Sequence, residues 1–141
     1  MRTVAAALLA LYAVLVARLT LADPLAGAPV FSAADYWAGL LSGGRLDGAR
    51  VEVLANIALF VPAGLLLMVV LRRPVLTIAL LVAVSAGIEL AQQQWFSTRV
   101  PSLADVEHNG VGAALGVLAA ATLVHASRWL SGAGRSAERP A

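Results

Sequence analysis

The chain has 141 residues, 60% of them hydrophobic and 13% charged, with a formal net charge of +2 and a mean hydropathy of +0.85. Soluble domains carry roughly 25% charged residues, so these totals exclude an ordinary soluble enzyme and point to one compact membrane domain. The basic pI of about 9.9 comes from ten scattered arginines with no basic aromatic platform, so no nucleic-acid partner is expected; with no cysteine, thiol and disulfide chemistry are excluded as well.

Thr3 to Leu21 is almost continuously apolar, broken only by Tyr12 and Arg18. About 20 residues cross a ~30 Å hydrocarbon core, so a first span is expected over residues 3–21. The rival reading is a cleaved signal peptide. Arg2 gives a basic start, and Ala26-Gly27-Ala28 resembles a small-residue cleavage site. The length of the apolar run and Pro29 favour a retained helix.

Residues 22–50 form the one long connection, punctuated by Asp23-Pro24, Gly27, Pro29, Gly39, Gly43-Gly44 and Gly48. Phe31 to Trp37 can begin a short interfacial helix with Tyr36 and Trp37 at headgroup level; an irregular loop with aromatic anchors is the alternative. A second span is expected over residues 53–71, containing Asn56, Pro62 and Gly64, and Arg72-Arg73-Pro74 ends it. The third span, residues 75–92, follows so closely that the two must be antiparallel neighbours. Ser102 can cap a fourth helix whose positive end Asp105 complements. Its membrane span is expected over 104–125 and its end near Trp129. The reading is therefore an all-α, four-transmembrane-helix bundle in a single domain, residues 1–130, with a disordered tail over 131–141.

Arginine placement sets an expected orientation. With the N-terminus inside, Arg2, Arg72, Arg73, Arg128, Arg135 and Arg139 are cytoplasmic. Arg18, Arg45, Arg50 and Arg99 then lie outside with six of the eight acids. The positive-inside rule accordingly favours both termini in the cytoplasm.

In this topology the polar residues of the spans gather at one depth. Asn56 opens the second span, Glu89 and Gln92 close the third one turn apart, Arg99 lies in the outer loop, and Asp105 and Asn109 open the fourth. Polar groups at the edge of hydrocarbon are costly and mark a site by default. Each also has a plainer reading. Glu89 can simply face water, Asp105 can be a helix-start residue, and Arg99 can be the ion-pair partner of either acid. Asn56 and Asn109 can pair across the bundle as packing glue. Gly112 and Gly116, with Ala113 and Ala120 on the same general face, permit close helix approach, and Pro62 is expected to kink or loosen the second span. His108 has no visible nucleophile beside it and His125 lies at the other membrane face. No metal site and no cofactor are called for.

The pattern Asn56-Ile-Ala-Leu-Phe60-Val-Pro62-Ala-Gly64, Glu89-Leu-Ala-Gln92, Arg99 and Asp105-Val-Glu-His-Asn109-Gly-Val-Gly112-Ala-Ala-Leu-Gly116 resembles the VanZ-like family over residues 52–124. The resemblance implies a small multi-pass protein of the bacterial envelope, whose founding member is associated with resistance to teicoplanin, a glycopeptide that targets peptidoglycan precursors. It places the motif residues at Asn56, Pro62, Glu89, Gln92, Arg99, Asp105 and Asn109. Many relatives carry a second acid in the Arg–Asn segment, where this chain has Ser102 and Leu103 before a single well-placed Asp105. That departure weakens a two-carboxylate reaction.

Three functions compete. In the first, the outer-leaflet pocket binds a membrane lipid, a lipid-linked cell-wall precursor or an anionic headgroup, with Arg99 on phosphate and Asn56, Gln92 and Asn109 orienting polar groups. In the second, Glu89 or Asp105 is a general base acting on such a headgroup. In the third, the cluster only fixes helix packing, in a homo-oligomer or beside a partner membrane protein.

Overall fold

The computed structural model describes residues 2–21, 24–95 and 102–137. The described residues form five helices and no strand: α1 (Arg2–Leu21), α2 (Pro24–Ser42), α3 (Gly48–Leu71), α4 (Pro74–Trp95) and α5 (Leu103–Ala137). Helices α1, α3 and α4 and the first 24 residues of α5, Leu103–Ala126, are long and apolar enough to cross a bilayer. All four expected spans are present, each somewhat longer than its apolar run because caps and interfacial residues join the helices.

Helices α3 and α5 share the most extensive contact. The α4 helix packs mainly on α5, and α1 leans on α3. The α3–α5 contact is close because of glycine. A Cβ added to Gly64 would collide with the Ala113 carbonyl, one on Gly112 with the Ile57 carbonyl, and one on Gly116 with the Val61 carbonyl. Small side chains thus let the two backbones meet directly, and dispersion replaces the hydrophobic drive that lipid does not supply. Around this seam Phe60, Ala63, Leu81 and Ala113 are buried, with Tyr12, Leu59, Leu67 and Ile88 packed against them.

Pro62 lies inside α3, which continues through it. Proline removes one backbone donor and its ring crowds the preceding turn. The Tyr12 hydroxyl of α1 donates to the Leu59 carbonyl in that turn at 2.7 Å and so ties α1 to α3 there, one residue past Ala58, whose carbonyl is the one that loses its helical donor to Pro62.

The helix ends follow local rules. Asp47 caps α3, accepting from the Arg50 amide at 3.0 Å, after Gly43 and Gly44 turn the chain with φ of 62° and 79°. At the other end Arg72 takes the left-handed conformation (φ 57°) and donates its amide to the Met68 carbonyl at 2.8 Å. Arg2 closes the same helix end: its Nε and Nη2 donate to the Val70 carbonyl at 3.1 and 2.7 Å. Pro74 is then the first residue of α4, where its missing donor costs nothing.

Two expectations change. The connection between the first two spans is helical over 19 residues, Pro24–Ser42, so the short helix expected from Phe31 extends in both directions, across Gly27, Pro29 and Gly39. The final helix also runs past Trp129 to Ala137, into the segment expected as a disordered tail. Gly132 and Gly134 weaken a helix by about 1 kcal/mol each but do not stop it as proline does.

Candidate functional site

Helices α1 and α4 finish, and α3 and α5 begin, at the same end of the bundle. The polar residues of the spans converge there in two layers. In the outer layer the Asn56 amide of α3 donates to Asp105 Oδ1 of α5 at 2.8 Å. Beside it, Glu89 Oε2 of α4 accepts from the Ser102 backbone amide at 3.1 Å. One turn deeper on both α4 and α5, Asn109 Nδ2 donates to Ser85 Oγ at 2.8 Å. Helices α3, α4 and α5 are therefore joined by side chains at this end.

Ser102 explains how the acids are positioned. Its hydroxyl accepts from the Asp105 amide at 3.2 Å, which makes it the N-cap of α5 as expected. In an ordinary capping box the acid three residues on would return to the cap's own amide. Here Glu89, on another helix, takes that amide. Asp105 is released to reach across to Asn56. The box is divided between two helices, and each carboxylate lies near the positive end of α5, where negative charge is stabilising.

Gln92 departs from the expected arrangement. It is almost fully buried, and its Nε2 donates to the Thr20 carbonyl at 2.7 Å, in the last turn of α1. Instead of joining Glu89 in a pocket it ties α4 to α1 and satisfies a carbonyl that the end of that helix leaves open. Nor do Asn56 and Asn109 pair with each other: one serves Asp105 and the other Ser85. Arg99 and the rest of residues 96–101 lie outside the described residues. Among the described residues neither Glu89 nor Asp105 takes part in an ion pair, and no group of three metal-ligating side chains is found.

Two buried polar atoms at this end, Asn109 Oδ1 and His108 Nδ1, have no partner among the described residues. Buried polar groups almost always have partners. Both asparagine amide nitrogens are already engaged within the protein. Among the described residues the cluster therefore leaves open these two atoms, the second oxygen of each carboxylate and the second N–H of each amide.

Ser85 carries the inner layer, and the sequence reading passed over it. A usable signal existed: Thr77, Leu81, Ser85 and Gln92 are the buried residues of α4. Hydroxyls on the stripe that also holds a buried amide mark the face turned into the bundle.

A family model described as VanZ/LLP1 matches residues 9–124, a longer stretch than the motif residues span. No curated protein and no solved structure matches the chain.

Proposed function

The chain belongs to the VanZ-like family, and we propose that it is a plasma-membrane protein of the bacterial envelope that holds the headgroup of a lipid-linked envelope precursor at its polar end. What supports this reading is a set of buried polar atoms left open among the described residues. Asn109 Oδ1 and His108 Nδ1 are buried without partners among the described residues, at the same end of the bundle as two carboxylates that each use one oxygen. A cluster serving packing alone has every reason to be internally satisfied, because an open buried polar atom costs about 1–3 kcal/mol.

The chemistry of the open groups narrows the ligand. A bare anion beside Glu89 and Asp105 would meet like charge. A headgroup that carries hydroxyl or amide donors as well as phosphate suits the site better, and a sugar- or peptide-bearing lipid phosphate has both. The donors would face the carboxylates and Asn109 Oδ1, and Arg99 would take the phosphate. Arg99 is three residues from Ser102 in sequence, so chain length alone keeps its Cα within roughly 11 Å of the α5 cap. In this reading the polar end faces the outer leaflet, as the arginine distribution favours. A lipid-linked peptidoglycan precursor is also the class of molecule that would connect the chain to teicoplanin-type resistance.

The test is lipid retention in Arg99 variants. Arg99→Gln should keep the wild-type melting temperature in detergent and lose the retained lipid, and Arg99→Lys should recover part of it, since lysine keeps the charge without the planar fork. A loss of melting temperature with no change in retained lipid would assign Arg99 to packing and remove the phosphate contact from the proposal.

A further inference from the structure

The opposite end of the bundle carries a second feature, independent of the polar cluster. An open groove of about 520 Å³ lies at the α3–α4 turn, lined by Arg72, Arg73, Pro74, Val75, Leu76 and Ala79. Its lining is almost wholly apolar, the stems of Arg72 and Arg73 included, and both arginines are exposed at its edge.

Neither guanidinium has work to do within the described residues. The end of α3 is already closed by the Arg72 backbone amide on Met68 and by the Arg2 side chain on Val70. Among the described residues no hydrogen bond or ion pair engages the side chain of Arg72 or Arg73. Arg72 also occupies a backbone position where glycine is the usual choice. A left-handed conformation (φ 57°) costs a residue with a Cβ roughly 1–2 kcal/mol. An arginine kept there at that cost suggests a use for its side chain. The backbone amides of Val75 and Leu76 in the first turn of α4 likewise have no acceptor among the described residues.

The apolar wall continues away from the arginines. Leu76, Leu80 and Val84 are exposed, at 41%, 43% and 52%, and recur every four residues along one face of α4. They form a track about 12 Å long running into the span. An occupant must therefore present negative charge at the end of a membrane helix and an aliphatic body along that helix. A soluble anion would gain nothing from the track, and a neutral lipid would gain nothing from the guanidiniums.

We infer that this groove is a binding site for an anionic diacyl phospholipid, with its phosphate between Arg72 and Arg73 and one acyl chain along Leu76, Leu80 and Val84. Basic pockets at the ends of membrane helices recognise anionic headgroups in this way, with each arginine contributing roughly a fivefold preference.

The experiment reconstitutes the full chain in phosphatidylcholine nanodiscs containing a minor fraction of phosphatidylglycerol. After extraction, mass spectrometry reads the ratio of the two lipids retained on the protein. Wild type should be enriched in phosphatidylglycerol. Arg72→Gly and Arg73→Gln should each lower the enrichment roughly fivefold. Arg72→Gly should do so while melting at or above the wild-type temperature, because glycine relieves the left-handed backbone. Arg45→Gln, at the other end of the bundle, should leave enrichment unchanged, and the polar-end ligand should survive Arg72→Gly. Equal retention of both lipids by wild type would overturn the inference. So would a loss as large in Arg45→Gln, which would reduce the effect to bulk charge, or a protein chain found in the groove in place of lipid.

Discussion

Gly116→Ala is the sharpest test of the packing, since it adds one methyl group and touches no polar residue. A Cβ at position 116 would overlap the Val61 carbonyl, come within 2.7 Å of the Leu65 amide nitrogen and within 3.0 Å of the Gly64 carbonyl carbon. These neighbours are backbone of α3, so no side chain can rotate away and the helices must separate. Overpacking of this kind costs roughly 1–3 kcal/mol, and the rigid neighbours put Gly116 near 3. Alanine returns about 1 kcal/mol of helix propensity, which leaves a net loss of ~2 kcal/mol. For a chain of this length that is a melting temperature lower by roughly 6 °C. Gly87→Ala is the matched control. Nothing lies within 4 Å of its added Cβ, so only the propensity gain remains and the variant should melt about 3 °C higher. Thermal unfolding in one detergent, followed by tryptophan fluorescence, compares the two directly. If Gly116→Ala melted with or above Gly87→Ala, α3 and α5 could not meet at this seam.

Asn56→Ala and Asp105→Ala should be coupled by roughly 1.5–3 kcal/mol in a double-mutant cycle, since a charge-assisted hydrogen bond joins them. Asn56→Ala with Asn109→Ala should be additive within about 0.5 kcal/mol, because their partners differ. Tyr12→Phe should lower stability by about 1 kcal/mol through loss of the Leu59 contact; an unchanged melting curve would mean that α1 does not serve the Pro62 turn. For topology, cysteine at Gly44 should react with a membrane-impermeant thiol reagent outside intact cells and cysteine at Ser136 should not. The reverse pattern would place the polar end in the cytoplasm.

Much of the fold was legible because a bilayer imposes simple rules. Long apolar runs gave the spans, Ser102 three residues before Asp105 marked a helix start, and Gly112 and Gly116 marked the tight seam. The α2 helix was less legible because Gly27, Pro29 and Gly39 lie inside it and read as breakers. Pro24 is its first residue, where proline is tolerated, and Gly27 and Gly39 weaken a helix by about 1 kcal/mol each without stopping it. Of the residues the sequence singled out, the structure gathers Asn56, Glu89, Asp105 and Asn109 at one end of the bundle. The sequence did not resolve who bonds to whom. Glu89 and Gln92 lie one turn apart, yet a few tens of degrees of helix rotation direct one to α5 and the other to α1. Ser85 passed unremarked because a hydroxyl in an apolar run looks the same facing lipid or facing Asn109.

The central claim, that the polar end holds a ligand and is more than a strut, is tested most directly by the lipid that stays bound through purification. Mass spectrometry of the extracted lipid should find, in wild type, one headgroup class bearing phosphate together with hydroxyl or amide donors, enriched over the surrounding membrane. That species should be missing from an Asn109→Leu variant that still folds, and present in Arg72→Gly. Lipid of bulk membrane composition in wild type, or a species that Asn109→Leu retains in full, would contradict the claim and leave the cluster as packing alone.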